Sequence, residues 1–330
     1  MSKILYFNNV YIKTSALVGG PKEAKGPLSQ YFDEVFSNLH MGQSSFEAAE
    51  LFMQKTVISK LLYKSGLTKE EISVAYGGDL INQSVITNYA FREYEIPLVG
   101  LYGACSTSIL GLLAGAIYLN NKEQENVLTI VSSHNSTSER QFRNPTEYGG
   151  AKVETLTSTV TGCAGFILSN EKNEIRISSG LIGKVVDLEQ KNMFDMGRAM
   201  APAASESLLE YFDKTKSTPQ DYDLILTGDL SFFGKEIIKN ILDEKFNFSK
   251  NYNDCGLMIY DRSKQEVFAG GSGCSCVGIV SAGYVLNEMK NKRLKKVLIA
   301  GTGALMNTMM ILQHETIPAI SHVICLEVVE

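Results

Sequence analysis

Leu101-Tyr-Gly-Ala-Cys-Ser-Thr-Ser-Ile-Leu-Gly-Leu-Leu-Ala-Gly-Ala-Ile-Tyr-Leu119 reads as a tight turn that delivers Cys105 to the start of a helix over about 106–119. The helix is apolar on every face, the pattern of a helix buried all round rather than laid on a surface. Gly103 and Ala104 allow the sharp turn, and Gly111, Ala114 and Gly115 allow neighbouring elements to approach closely. Ser106, Thr107 and Ser108 can cap free N–H groups. A cysteine here feels the positive end of the helix dipole, which favours the thiolate. Free cysteines are also common as small buried apolar residues. On this stretch alone Cys105 is either a nucleophile or a core residue.

Outward from this turn, the chain repeats itself. Residues 67–80 (LTKEEISVAYGGDL) align without a gap with 217–230 (STPQDYDLILTGDL), both ending in Gly-Asp-Leu after an apolar strand. Before the first block, Ser44 with Glu47 makes a capping box. Phe46, Ala49, Met53, Val57 and Leu61 follow at helical spacing, and Gly66 ends the run. Residues 205–215 match that helix before the second block. Ala104-Cys-Ser-Thr-Ser pairs with Gly273-Cys-Ser-Cys-Val, each opening an apolar helix that leads into a strand, 127–130 or 297–300. The offset between the blocks grows from 150 to 170, which places an insertion in the second half, within 247–268. Three matched blocks in one order point to a duplication. The expected fold is α/β: duplicated β-α-β halves, 1–175 and 176–330, packed in layers around buried helices. Between the blocks, an opening strand or hairpin over 3–17, a helix over 84–94, a strand over 97–102 and strands over 156–169 and 174–186 are expected. Residues 134–155 read as a long polar loop.

Composition narrows the class. With 44% hydrophobic and 20% charged residues and a net charge of −5, the chain is that of an ordinary globular protein. No run of one charge sign points to nucleic acid or an anionic membrane surface as partner. The longest apolar run, 109–119, is too short to span a bilayer, and the first residues lack a secretory signal. The six cysteines are expected to be reduced thiols in a cytosolic compartment. Cys274-Ser-Cys276 has no second pair at zinc-binding spacing, and no metal or cofactor is expected. Asp79 and Asp229 could offer oxygen to Ca²⁺, yet their matched places in the repeat read as turn carboxylates that cap the next helix.

A duplicated α/β unit with a cysteine opening the first buried helix resembles the thiolase superfamily, which includes the ketoacyl synthases that condense acyl thioesters. In that family two second-half groups, His with His or His with Asn, activate the cysteine and bind the oxyanion. Here the matching places hold Gly228-Asp229-Leu230-Ser231 and the turn at 270–276, with neither His nor Asn, and the four histidines (40, 134, 314, 322) lie elsewhere. His314 and His322 are expected to flank the last strand. Loss of one oxyanion donor costs roughly 100- to 1000-fold in rate, so a pocket kept without its chemistry is expected. Three segments narrow the resemblance: Gly103-Ala-Cys-Ser-Thr-Ser; Ser132-Ser-His-Asn-Ser-Thr-Ser-Glu-Arg-Gln-Phe-Arg-Asn-Pro-Thr-Glu-Tyr-Gly-Gly150; and Gly20-Pro-Lys-Glu with Gly26-Pro-Leu. They are similar to the stage V sporulation protein AD family, soluble thiolase-like members of the channel complex that moves dipicolinic acid in endospore formers. The resemblance implies binding of dipicolinic acid or its calcium chelate, loading during sporulation and release in germination. It also implies peripheral attachment to the cytoplasmic side of the spore inner membrane through other channel subunits.

Dipicolinic acid is a flat pyridine with two carboxylates, and a site for it needs cationic or N–H donors and a flat apolar wall. The loop after 133 is the richest source: Ser133, His134, Asn135, Arg140, Arg143 and Tyr148, with Cys105 and Ser106 as the floor and the helix N-terminus as donor. Arg140 and Arg143 could instead pair with Glu139 and Glu147 and fasten the loop. Three functions are carried forward. One is a non-catalytic binder. A second is an acyl-thioester condensing or acyl-transfer enzyme with Cys105 as nucleophile and His134 as its base. The third is a scaffold with a vestigial pocket. A homodimer through first-half strands stays open.

Overall fold

The repeated sequence blocks fold into a repeated sheet. The computed structural model describes residues 3–142 and 152–329. In chain order the strands are β1 Ile4–Tyr6, β2 Tyr11–Gly19, β3 Glu34–Val35, β4 Val74–Gly78, β5 Leu98–Gly100, β6 Asn126–Ser133, β7 Thr157–Thr159 and β8 Gly162–Ser169. They continue as β9 Ile175–Leu181, β10 Val185–Val186, β11 Leu224–Thr227, β12 Tyr252–Asp254, β13 Gly270–Ser272, β14 Lys296–Ala304 and β15 Ala319–Val328. The helices are α1 Phe46–Ser65, α2 Val85–Tyr94, α3 Thr107–Leu119, α4 Asn135–Phe142 and α5 Met196–Thr215, then α6 Ser231–Asp243, α7 Cys255–Met258, α8 Cys274–Val280, α9 Leu286–Lys290 and α10 Thr308–Leu312.

Outward from the junction of β2 and β9, one half runs β2-β8-β6-β4-β5 and the other β9-β15-β14-β11-β12. The strand directions match step for step: two antiparallel pairings, then two parallel ones. β2 meets β9 through one residue pair, Tyr11 with Arg176. Alternation along each strand then sorts side chains between layers. Val297 and Ile299 of β14 enter a central core, while Leu298 and Ala300 enter an outer one under α5. Ala164 and Phe166 of β8 face the centre, while Cys163 and Ile167 face α1. The result is helix, sheet, helix, sheet, helix.

α3 fills the middle layer. It touches β4 and β6 of one array and β14 and β15 of the other. Ile109, Leu112, Leu113, Ala116 and Leu119 are all buried, each Leu or Ile contributing roughly 1.5–3 kcal/mol. The apolar pattern is met by apolar surroundings on the two sides that face the sheets; burial all round is not, because a third stripe of half-buried Leu110, Ala114 and Tyr118 with Ile117, 45% exposed, reaches the surface. The second array approaches the Cys105 turn so closely that a Cβ on Gly303 would lie 2.3 Å from the Gly103 carbonyl oxygen. Gly303→Ala is expected to destabilise the fold by about 1–3 kcal/mol, read as a lower urea midpoint. An unchanged midpoint would mean that the strand and turn are free to separate.

Several local expectations change. The cap of α1 is Ser45, whose hydroxyl accepts from Ala48 N at 3.1 Å; Ser44 is not the cap. Gly66 ends the helix with φ +70°, as its place requires. The loop expected over 134–155 contains α4, a polar helix without a core-facing periodicity. α5 begins nine residues earlier than 205 and runs through Pro202, with Asp195 capping it through Arg198 N. His322 lies within β15 rather than beside it, and burial pushes its pKa down to about 4. No helix among the described residues is long and apolar enough to cross a membrane.

Candidate functional site

The turn before α3 is closed on itself. Ser106 donates its hydroxyl to Gly103 O at 2.6 Å and Thr107 donates to Ala104 O at 2.6 Å, while Gly103 N donates to Thr107 Oγ1 at 3.0 Å. Ser106 N and Thr107 N also point back, to the carbonyls of Gly103 and Ala104. Ala104 takes φ +50°, a left-handed conformation uncommon for an alanine. The strain is held by these bonds, and it turns the Cys105 side chain out of the helix toward the second half.

Opposite Cys105 stand the two places where the resemblance predicts partners. Ser272 Oγ is 3.9 Å from Cys105 Sγ. Ser272 in turn donates to Asp229 Oδ2 at 3.0 Å, Gly273 N donates to the same oxygen at 3.0 Å, and Thr302 donates to Oδ1 at 2.7 Å. The geometry of a cysteine facing two second-half groups is present; the groups are a hydroxyl and a carboxylate. Burial pushes the Cys105 thiol well above its ordinary pKa, and the Asp229 carboxylate pushes it further. Desolvation and a nearby negative group thus override the helix dipole, so the thiolate expected from helix position alone is not favoured. Burial raises the Asp229 pKa too, against the hydrogen bonds of Thr302 and its other donors. A carboxylate at this place repels a developing oxyanion rather than binding it.

A cavity of about 30 Å³ opens beside the sulfur, room for a water or two. Its walls are mainly apolar: Leu80, Tyr102, Phe142, Met196 and Met306, with Thr159 and Ser272 as polar members. None of its described lining residues is cationic.

Of the residues expected to form a ligand site, Cys105 lines this cavity. Ser106 is fully buried in the turn. Ser133 donates to Val160 O and lies against Ser275 Oγ. His134 shares its Nε2 proton with Leu39 O at 2.9 Å and accepts from Ser136 N at Nδ1, with its ring against Phe46. Both ring nitrogens are committed, which removes His134 as a base for Cys105. Asn135 N donates to Thr161 Oγ1, and its side chain reaches Thr159 O. Arg140 pairs with Glu47 at 2.7 Å and lies over Phe46, fastening α4 to α1. Arg143 and Tyr148 lie outside the described residues.

Asp79 and Asp229 part company here. Asp79 receives Ile81 N, Thr87 N and the Thr87 hydroxyl, a turn and cap carboxylate as the repeat suggests. In the second half that duty falls to Asp254, which receives Leu230 N and Ser231 N at 2.9 and 2.8 Å. Asp229 is left to face Cys105. Among the described residues no group of three or more His, Cys, Asp or Glu could hold a metal ion. Sequence reasoning located the places of Asp229 and Ser272 and found neither His nor Asn there; it read Asp229 as a turn carboxylate and did not single out Ser272. Tyr102, Met196 and Met306 carry no local signal; three separate segments bring them together.

Comparisons with known proteins bear on the fold and the family. The 3-oxoacyl-[acyl-carrier-protein] synthase III of Aquifex aeolicus superposes with TM-score 0.51 at 14% identity, covering 99% of this chain and 100% of its own. OleA of Xanthomonas campestris gives 0.61 at 12%, covering 98% of each chain, and the Acat5 thiolase of Ascaris suum 0.60 at 11%, covering 98% and 100%. At such identities the likeness establishes the thiolase-like fold alone. Stage V sporulation protein AD of Bacillus subtilis (strain 168) is 42% identical over 319 residues, 96% of this chain and 94% of that protein. A profile of the stage V sporulation protein AD family matches residues 2–327. A thiolase-like fold whose cysteine faces Asp229 and Ser272, matched from end to end in this way, belongs to the stage V sporulation protein AD family.

Proposed function

We propose that the chain binds dipicolinic acid, preferably as its calcium chelate, without catalysis. It would act as a peripheral subunit of the spore inner-membrane channel in uptake during sporulation and release in germination. The observation that carries the non-catalytic reading is the Asp229 carboxylate buried against Cys105, which suppresses the thiolate and repels an oxyanion. The apolar and aromatic wall of Tyr102, Phe142, Met196 and Met306 suits the face of a pyridine ring; at about 30 Å³ the cavity holds only water as it stands, so binding requires these side chains to move apart. Burying a free dianion there, with no cation among the described lining residues, is unfavourable. The chelate has no net charge and lowers that penalty, with its Ca²⁺ still drawing further oxygen ligands from water or from Thr159 and Ser272.

Calorimetry of the full chain with dipicolinic acid, with and without Ca²⁺, tests this. Saturable binding that is tighter with Ca²⁺ is expected. It should be lost in Ala304→Phe, which fills the cavity, and weakened in Arg143→Ala. Absence of heat in both conditions, with the thermal transition of the protein intact, would remove dipicolinic acid as the ligand.

A further inference from the structure

Lys296, which opens β14, lies at the opposite end of that strand from Ala304 beside Cys105, roughly 25 Å away at the strand rise. A second cavity of about 340 Å³ lies at this far end, between the sheet face and the last turns of α5. Its chemistry is unlike that of the first. Lys296, Glu327 and Arg176 stand in register on three adjacent strands. Arg176 donates to Glu327 Oε2 through Nη2 at 2.7 Å and Nε at 3.2 Å, and Lys296 Nζ lies 3.3 Å from Oε1. Two cations therefore share one carboxylate, and one unit of positive charge is left over. The Nη1 group of Arg176 makes no hydrogen bond among the described residues.

Hydroxyls from β9, from the end of α5 and from the segment after it line much of the rest of the cavity. Tyr211, 1% exposed, bonds Ser179 at 2.7 Å, and Ser217 bonds Tyr222 at 3.0 Å. Hydroxyls can both donate and accept. Uncompensated guanidinium and ammonium groups select oxyanions. An exposed Tyr6 stands at the mouth.

We propose that this far-end cavity is a second binding site, for a small oxyanion that itself carries hydroxyl groups, of the sugar-phosphate or sugar-acid class. The cations take the anionic end, in competition with Glu327, and the tyrosine and serine hydroxyls take the ligand's own hydroxyls.

Calorimetry of the full chain with glucose 6-phosphate, gluconate, inorganic phosphate and glucose decides the matter and the source of the charge. One or both hydroxylated anions should bind, more tightly than inorganic phosphate, and glucose should not. Lys296→Met should weaken binding about tenfold or more, as loss of a charged hydrogen bond does. Glu327→Gln, which removes the internal competitor, should tighten it, a gain that a damaged fold cannot produce. Absence of binding by both hydroxylated anions would overturn the site, and so would variants that leave affinity unchanged or a loss in Glu327→Gln. Equal binding of inorganic phosphate would overturn the hydroxyl selectivity. Dipicolinic acid titrated into Lys296→Met separates this site from the Cys105 cavity: its binding should be unchanged there whether or not the anions bind.

Discussion

In the folded protein Cys105 should resist alkylation. With iodoacetamide at pH 8 it is expected to react on the order of 100-fold more slowly than a free cysteine, whose pKa is about 8.5. The cause is double: Cys105 is 7% exposed, and the neighbouring carboxylate opposes a second negative charge. Asp229→Asn keeps the shape and removes the charge, and should raise the rate several-fold, since the carboxylate no longer opposes the thiolate while burial still does. Mass spectrometry of the Cys105 peptide, with the urea-unfolded chain as reference, gives the rates. Rapid labelling of the native wild type would mean an activated nucleophile and would return the acyl-transfer alternative. All six cysteines are free and buried, so the site-resolved readout is essential.

The second large effect concerns stability. Glu50 of α1 is fully buried, and burial, with Asp79 nearby, lifts its pKa to about 8. The hydrogen bonds agree with a protonated acid. Thr137 Oγ1 lies 2.8 Å from Glu50 Oε2 and 3.0 Å from His134 O, two acceptors for one hydrogen. A protonated Glu50 donates to Thr137, which then donates to His134 O, and the count closes. The unfolded chain ionises near pH 4.3. The folded pKa is the higher one, so the stability from neutral Glu50 is complete below that pH. It is lost as pH rises through about 8. The span corresponds to on the order of 5 kcal/mol. Urea unfolding from pH 5 to pH 9 should show wild type falling much more steeply than Glu50→Gln, which cannot ionise. Parallel slopes would sink the assignment. Because Thr137 lies in the first turn of α4, loss of this bond should loosen the helix that carries Phe142 to the Cys105 cavity.

The fold was legible because its signals are local and doubled. Gly-Asp-Leu at 78–80 and 228–230, and the apolar helices after Cys105 and Cys274, report two copies of one unit, and apolar content on every face of α3 reports a middle layer. The site was legible in position and less so in chemistry. Asp79 and Asp229 occupy the same place in the repeat, and nothing local distinguishes them; Asp254, on another strand, takes the cap and changes what Asp229 does. His134, Arg140 and Ser133 read as ligand groups from their composition. Their partners, Leu39 O, Glu47 and Val160 O, lie far away in sequence and are brought in by tertiary packing. α4 escaped notice because its stability comes from those contacts rather than from a core-facing stripe.

The middle position of α3 has a consequence for synthesis. Its partners in the first array, β4 and β6, are made close to it in time. β14, which covers its other side, leaves the ribosome roughly 180 residues later, on the order of 10–40 s at about 5–20 residues per second. Through that interval the nascent first half presents a helix apolar on every face with one side uncovered. The chain should therefore depend on holdase chaperones more than its final buried surface suggests, and truncation before β14 should yield aggregates rather than a free-standing half.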